Sequence, residues 1–350
     1  MITLKGLIEN EGSRLVRQSI TPSIVAIIQS GQTRSVVAHG SVSINCHLQK
    51  SVEASVNSIY DIASMTKIVS TWPAIGKLLQ SGMLSLDDRV DSLFGLHIST
   101  SKLVTVRSIL THTSELMSAT WISQYGGARG VDLAKLILSE DSEKNLIPDQ
   151  AVYINRGFIL LGLLVEYLTS QTLDNFVSES IWKPLGMSST MYGPLVGRIE
   201  NRSVAPSEFD SALGHHLCGV VHDENCRFLG GVAGHAGVFS SASDIEIFAQ
   251  ACLNGVLSDL IGGSFVDAAL SGPFVNWKDG GRVRSLGWAA DTSGKQIVAY
   301  HDGFTGVGLY LAPQAKRYVV LMTNSVFYER RSPTLLNFRE RIISALANFE

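Results

Sequence analysis

The strongest constraint on this fold is the position of the strand-like segments, which cluster towards the two ends of the chain. Apolar or alternating runs bounded by turn residues predict strands. These runs cover 23–30 and 34–42 in the first part of the chain, and 284–290, 296–300, 306–311 and 318–323 in the last part. If these strands share one sheet, the two ends of the chain must meet. We therefore predict one antiparallel sheet built from both ends.

The central part of the chain carries helix and loop signals instead. Amphipathic periodicity predicts helices over 1–18, 63–79, 156–169, 242–253 and 334–348. Pro73 falls inside the second of these and is expected to kink it. The predicted fold class is α+β. A sheet domain over 1–80 and 229–350 is flanked by helices, and a mainly helical domain over 81–228 is inserted into it. A ligand site is expected in the crevice between the two domains.

The composition is that of a globular protein without an electrostatic attraction to polyanions. Of the 350 residues, 45% are hydrophobic and 17% charged, and the formal net charge is -3. This balance argues against disorder, and against nucleic acid or an anionic membrane as a partner. The expected partner is a small molecule. The oligomeric state is left open.

The N-terminus, the apolar stretches and the cysteines together predict a cytoplasmic location. The first 18 residues contain Lys5, Glu9, Glu11 and Arg14, which leave no apolar core for a signal peptide. The longest apolar stretch, 158–165, is too short to span a bilayer. None of the cysteines forms a C-x-x-C pair, and all are expected to be reduced and buried. They are Cys46, Cys218, Cys226 and Cys252.

The first candidate for chemistry is an S-x-x-K sequence that runs from Ser64 to Lys67. Residues three apart lie on one face of a helix, so the amine can reach the hydroxyl. A serine hydroxyl needs a neighbouring base, and lysine can serve if burial or charge lowers its pKa. The same spacing recurs at Ser99–Lys102 and Ser180–Lys183. Context favours Ser64, because it opens a long apolar helix.

Two further motifs lie downstream. Tyr153-Ile154-Asn155 is the only Y-x-N in the chain. Its phenol could shuttle a proton and its amide could hold Lys67 and a substrate carbonyl, although Asn155 could equally be a helix N-cap. His301-Asp302-Gly303-Phe304 follows a predicted strand. Its glycine would allow a substrate to approach closely, and the Phe304 N–H could serve an oxyanion hole. On spacing alone, 235–237 and 278–280 are equal competitors.

A histidine-rich stretch at His222-Asp223-Glu224-Asn225, with His215 and His216 nearby, raises the question of a metal site. Its spacing matches none of the helical or cysteine-paired zinc signatures. We therefore predict no metal and no cofactor.

Taken together and in this order, the three motifs resemble the serine β-lactamase and penicillin-binding-protein superfamily. The match is closer to its class C-like branch of esterases, D-amino-acid peptidases and transesterases. The matching motif segments are 61–67, 153–162 and 301–306, the last in a His form. Framework stretches at 82–88, 109–114, 234–241 and 286–288 also match, so the resemblance covers about 20–325. It selects Ser64 among the serines, and His301 over His235 and Lys278.

The resemblance implies an acyl-enzyme mechanism. Ser64 would attack a carbonyl, with Lys67 and Tyr153 moving the protons. Residues expected to bind substrate or the oxyanion are Asn155, His301, Gly303 and Phe304. The 222–225 stretch would flank the active-site cleft. Asp302 stands where the family usually has threonine or serine, and its carboxylate could repel a substrate carboxylate or pair with a cation.

Three functions follow as hypotheses. The first is a serine hydrolase that cleaves an ester or amide bond of a small molecule. The second is an acyltransferase or transesterase that uses the same acyl-enzyme. The third is a non-catalytic binding or sensor module that keeps the fold.

Overall fold

The structure is a computed structural model of the protein. It describes residues 3–44, 50–98, 103–118, 121–140, 150–195, 197–198, 202–277 and 282–348. Its α-helices are α1 Leu4–Arg17, α2 Trp72–Gln80, α3 Val90–Leu93, α4 Val106–Leu110, α5 Gly130–Ser139, α6 Asn155–Thr169, α7 Leu173–Val177, α8 Lys183–Leu185, α9 Glu224–Phe228, α10 Ala242–Leu253, α11 Val256–Ile261, α12 Gly263–Ser271 and α13 Pro333–Asn348.

The strands come mainly from the two ends of the chain, as predicted. They are β1 Ser23–Ser30, β2 Thr33–Ile44, β3 Lys50–Glu53, β4 Ile59–Asp61, β5 Gln150–Ala151, β6 Met191–Tyr192, β7 Ser203–Val204, β8 Phe209–Asp210, β9 His215–His216, β10 Val238–Ser241, β11 Val275–Trp277, β12 Val283–Arg284, β13 Ala289–Asp291, β14 Val298–Asp302, β15 Gly308–Ala312 and β16 Arg317–Thr323.

The two chain ends meet at β1. This strand pairs antiparallel with β2 on one side and with β16 on the other, so Val25 lies opposite both Ala38 and Met322. Through the described strands the sheet runs in the order β5-β11-β12-β13-β14-β15-β16-β1-β2-β7-β4-β10-β6, with β3 beside β2. Its pairings are antiparallel except β11 with β5 and β4 with β7. The predicted α+β fold, with a large sheet flanked by helices, is confirmed.

Both faces of the central strands are covered. Ile24, Ala26 and Ile28 of β1 pack with residues of the terminal helices α1 and α13. Val25 and Ile27 face the opposite way, into the larger core that α2, α6 and α10 contribute to. Strands buried on both faces read as continuous apolar runs, which explains the sequence of β1.

Two predicted elements differ from the structure. The segment 284–290 is two strands rather than one, since Gly287 has a left-handed φ of +89° and the Ser285 N–H donates to the Trp288 carbonyl at 3.0 Å. The helix over 63–79 is a 3₁₀ turn at Ala63–Met65, a π-helical segment at Lys67–Thr71 and then α2. Pro73 is the second residue of α2, directly after the π-helical segment, so the backbone is helical on both sides of it.

The middle of the chain contributes strands as well as helices. β7, from within 81–228, pairs with β2 and β4, and β6 pairs with β10. The division into two domains at 80 and 229 stays a prediction.

The prediction of four reduced cysteines is wrong for Cys218, which is disulfide-bonded. Cys226 and Cys252 are free and buried, as predicted. Cys46 lies outside the described residues. The cytoplasmic location, on which the expectation of reduced cysteines rested, stays a prediction. None of the helices in the described segments combines the length and apolar composition that a membrane crossing requires.

Candidate active site

Ser64 lies in a tight turn at the end of β4. The preceding residue, Ala63, has a left-handed φ of +45°, which is unfavourable for a residue with a side chain. The Ala63 N–H donates to the Asp61 carboxylate at 2.8 Å, and the Thr305 hydroxyl donates to the Asp61 carbonyl at 2.7 Å. These bonds hold the turn against its strain. They place the partly exposed Ser64 at the edge of a cleft.

Lys67 is the most heavily bonded residue of this site. Its side chain is fully buried, and its Nζ lies 3.1 Å from the Ser64 hydroxyl. The same Nζ donates to Asn155 Oδ1 at 2.9 Å and to the His235 carbonyl at 3.4 Å, and it lies 2.6 Å from the Tyr153 hydroxyl. Burial lowers the pKa of Lys67, although Tyr153 and a nearby carboxylate partly oppose it. The geometry therefore joins Ser64, Lys67, Tyr153 and Asn155, which the sequence analysis selected separately.

Tyr153 and Asn155 are positioned by the start of α6. The N-cap of this helix is Ile154, so Asn155 is the first helical residue and not the cap that the alternative proposed. His112 stacks on the Tyr153 ring with centroids 4.8 Å apart, and its Nδ1 accepts from the Ile154 N–H at 3.2 Å. Burial, followed by the charges of Arg284 and Lys67, holds the pKa of His112 well below its usual value. Tyr153 therefore packs against an uncharged imidazole.

The third motif forms the opposite edge of the cleft, at the end of β14. His301 is buried, and its Nδ1–H donates to the Asp302 carbonyl at 3.0 Å. Burial, followed by the charges of Arg284 and Lys67, holds the pKa of His301 well below its usual value. A Cβ on Gly303 would lie 2.6 Å from the Ile62 carbonyl oxygen, so glycine is needed where this strand passes the Ser64 turn.

Asp302, the departure from the family pattern, is paired within the chain. Its Oδ1 accepts from the Tyr310 hydroxyl at 2.7 Å and lies 3.5 Å from Nε of Arg339. The second expectation for this carboxylate, pairing with a cation, is therefore the one the structure favours.

The backbone N–H groups of Ser64 and Phe304 are the candidate donors of an oxyanion hole. Ser64 and Phe304 both line the same cleft. Within the described segments, neither of their backbone N–H groups donates to a protein acceptor. Donors left free in this way are available to a developing negative charge.

The cleft between these motifs has a volume of about 450 Å³ and carries more positive than negative charge. Arg284 is only 8% exposed, and its guanidinium carbon lies 4.6 Å from the Trp277 ring centroid. Its Nε and Nη1 have no hydrogen-bond partner in the described part of the chain. The lining residues are Ser64, Tyr153, Trp277, Arg282, Arg284, Ala289, Tyr300, His301, Asp302, Gly303, Phe304 and Arg339.

The competing residues that the structure describes, Ser180, Lys183 and His235, do not line this cleft. The Ser180 hydroxyl donates to the Phe176 carbonyl, and Lys183 pairs with Glu179 at the surface. The His235 side chain is directed to Asp223, and only its carbonyl faces Lys67. The pair Ser99–Lys102 and Lys278 lie outside the described residues.

The histidine-rich stretch has partners within the protein. His222 Nε2 lies 2.9 Å from Glu208, and His216 stacks on Phe327 with centroids 3.6 Å apart. The described residues contain no group of three or more His, Cys, Asp or Glu arranged to hold a metal ion.

Sequence reasoning missed several residues that surround Lys67. His112 fell within a framework match and was given no role. Asp223 was considered as part of a metal cluster and of a stretch flanking the cleft, without a role of its own, and Arg284 only as part of a strand. Each lies among other polar residues, so nothing in the local sequence singled it out.

The fold and site place the chain in a family. The chain belongs to the Beta-lactamase family, whose model matches residues 13–338. It is 27% identical to a putative D-alanyl-D-alanine carboxypeptidase of Escherichia coli strain K12, over 79% of this chain and 71% of that protein.

Solved structures share the same fold. An octameric penicillin-binding protein homologue from Pyrococcus abyssi superposes with a TM-score of 0.73 at 20% identity, covering 99% of this chain and 77% of that one. EstCE1, described as a hydrolase with promiscuous acyltransferase activity, superposes with a TM-score of 0.71 at 17% identity, covering 99% and 98%.

Proposed function

We propose that this protein is a serine-nucleophile hydrolase that cleaves an ester or amide bond of a small molecule through an acyl-enzyme intermediate. The observation that carries the proposal is the contact between Ser64 Oγ and Lys67 Nζ at 3.1 Å. Lys67 is fully buried and its pKa is lowered, which is the condition under which a lysine acts as a general base.

In acylation, the Ser64 oxygen attacks the substrate carbonyl while Lys67 accepts the hydroxyl proton, directly or through Tyr153. The tetrahedral oxyanion is stabilised by the backbone N–H groups of Ser64 and Phe304. As the carbonyl–leaving group bond breaks, Tyr153 donates a proton to the leaving alcohol or amine and is reprotonated from Lys67. The products of this half-reaction are the acyl ester on Ser64 and the free leaving group.

In deacylation, water attacks the acyl carbonyl and gives up a proton to the same lysine–tyrosine pair. The Ser64 oxygen then leaves and recovers that proton, which releases the carboxylic acid and restores the site. No metal or cofactor is required for either half-reaction.

Acyl transfer is the second candidate. An alcohol or amine acceptor that reaches the acyl carbonyl replaces water in deacylation. The similar fold of EstCE1, described as a hydrolase with promiscuous acyltransferase activity, supports this alternative. A non-catalytic binding module is the least supported, because Ser64, Lys67 and Tyr153 form one connected set of contacts suited to proton transfer.

The deciding experiment is intact-mass labelling with a panel of activated esters, amides, β-lactams and fluorophosphonates, followed by peptide mapping. We expect a single adduct on Ser64, absent from a Ser64→Ala variant that remains folded. Ser180→Ala is the matched control, since it removes the serine of another S-x-x-K and should label fully. Full activity in Ser64→Ala would overturn the proposal. Adding alcohols or amines during turnover and measuring product ratios then separates hydrolysis from acyl transfer.

A further inference from the structure

Asp223, in the histidine-rich stretch that the mechanism leaves without a role, lies at the N-terminus of α9. Its Oδ1 accepts two hydrogen bonds, from the Cys226 N–H at 2.8 Å and from Nε2 of His235 at 2.8 Å. A carboxylate can only accept, so Nε2 of His235 carries the proton. The His235 side chain is fully buried, so its ring has little freedom to leave this partner.

The same histidine contacts the proposed base through its backbone. The His235 carbonyl oxygen accepts from Lys67 Nζ at 3.4 Å. Because Asp223 fixes the ring of His235, it also restricts where this carbonyl oxygen lies. The contact is long enough that a small shift would remove it.

Asp223 also acts on Lys67 through its charge. Burial lowers the pKa of Lys67, whereas the negative charge of Asp223 raises it. Burial alone would raise the pKa of Asp223, but His235, the Cys226 N–H and Lys67 together hold it below its usual value. Asp223 is therefore ionised at neutral pH.

The neighbouring residue holds the other half of the site. The His222 N–H donates to Asp61 Oδ2 at 2.7 Å, while Asp61 Oδ1 accepts from the Ala63 N–H at 2.8 Å. Two consecutive residues of one loop thus contact the turn that carries Ser64 and the ring of the histidine whose carbonyl contacts Lys67.

We infer that Asp223 is a positioning residue for the Lys67 base, acting through the ring and carbonyl of His235 and through its own negative charge. This inference rests on the proposed function, since it assigns Asp223 a part in activating Ser64. Asp223 does not touch the reacting atoms.

The effect of Asp223 has to be measured against every other group that faces Lys67. Arg284 lowers the pKa of Lys67, and Tyr153 raises it. The imidazoles that interact with Lys67 are uncharged at neutral pH, because burial keeps their pKa values low. They are His112 and His301.

The test compares acylation rates of Ser64, measured by rapid mixing with an activated ester between pH 5 and 10, across matched variants. Asp223→Asn keeps the two accepting bonds and removes the charge, whereas Asp223→Ala removes both. His235→Gln keeps a donor for Asp223. Glu224→Gln is the control, because Glu224 lies on the same helix and pairs with Arg330 at the surface.

In Asp223→Asn we expect the rising limb of the rate profile to move to lower pH by roughly half a unit to one unit, the effect of one charge at an effective dielectric constant near 20. In Asp223→Ala we expect the acylation rate to fall about tenfold, part of the 10²- to 10⁴-fold that general base catalysis supplies. Substrate binding should change little in both variants. Glu224→Gln should match the wild type, and His235→Gln should retain most of the rate.

The inference is overturned if the rising limb of the pH–rate profile of Asp223→Asn coincides with that of the wild type and its acylation rate is within about twofold of the wild-type rate. So does a loss of folded protein in every Asp223 and His235 variant, since that outcome assigns the pair a structural role alone. Failure of the proposed function is seen separately, as a wild-type protein in which Ser64 is never labelled.

Discussion

The hydroxyl of Tyr153 lies 2.6 Å from Lys67 Nζ, while its ring stacks on an uncharged His112 with centroids 4.8 Å apart. The phenol is thus hydrogen-bonded to the proposed base and fixed in orientation by the stacked ring. Such a placement suits a group that passes a proton between Lys67 and the leaving group.

Replacing Tyr153 by phenylalanine removes this hydroxyl while keeping the ring stack. We expect acylation of Ser64 to slow by roughly 10²-fold, in the range that positioned proton transfer supplies. Pre-steady-state labelling would measure this. Tyr167→Phe, on the exposed side of α6, is the control and should be unaffected. A Tyr153→Phe rate within threefold of the wild type would remove the residue from the mechanism.

Lys67→Met should abolish acylation. Its stability relative to the wild type should increase as the pH falls. Burial depresses the pKa of Lys67 in the folded state, so below its usual value of 10.5 the unfolded state binds more protons than the folded state. The wild type therefore loses stability as the pH falls from 10.5 towards the depressed pKa, and the variant does not. Urea unfolding at pH 6 and pH 10 would measure the difference. Lys183→Met, at a surface ion pair, should show no such dependence.

Gly234→Ala is expected to be strongly destabilising. A Cβ on Gly234 would lie 1.9 Å from the Phe158 carbonyl oxygen, so α6 must shift to accept it. We expect a loss of about 2–4 kcal/mol in the free energy of unfolding, as overpacking at a backbone contact costs. Gly263→Ala is the contrast, because the nearest atom to its Cβ is 3.8 Å away in Ser258. That variant should gain about 0.5–1 kcal/mol. Equal effects at both sites would contradict the packing argument.

Arg284 should favour substrates with an anionic group near the scissile bond. Its Nε and Nη1 have no partner in the described segments, and a buried cation gains most from an anion that it can hydrogen-bond. In Arg284→Gln we expect kcat/KM for a carboxylate-bearing ester to fall about tenfold or more, equivalent to about 1.5–3 kcal/mol. The neutral isosteric ester should change much less. Arg107→Gln, at a surface pair with Asp87, serves as control. A parallel loss for both esters would show no role in selectivity.

The free thiols should be inert in the folded protein. Burial, followed by the charges of Asp223 and Asp61, raises the pKa of Cys226 well above its usual value, and burial also raises that of Cys252. We expect iodoacetamide at pH 8 to modify both residues only after unfolding, at least about 100-fold faster than in the native protein. Peptide mapping identifies the sites. Rapid native modification of either thiol would contradict the burial.

Hydropathy patterns in the sequence predicted helices and strands well where burial alone sets the pattern. The apolar run of β1 and the amphipathic period of α13 follow from burial on two faces and on one face. Gly287 and the turn around it were missed, because a turn inside an apolar run leaves no change in hydropathy. The paired state of Cys218 could not be derived either, since a disulfide depends on which residue lies nearby.

Some features of the fold and the candidate site follow from the sequence, and others only from the tertiary structure. The sequence by itself determined the α+β fold, the Ser64–Lys67 spacing and the family to which the chain belongs, because these depend on residues close in the chain or on ordered motifs. Only the tertiary structure decided which groups meet Lys67, whose partners lie 86, 88 and 168 positions away. It also revealed Asp223, His112 and Arg284 around that lysine. The physical reason is that burial and hydrogen bonding act through space, and the pKa of Lys67 depends on all of its neighbours at once.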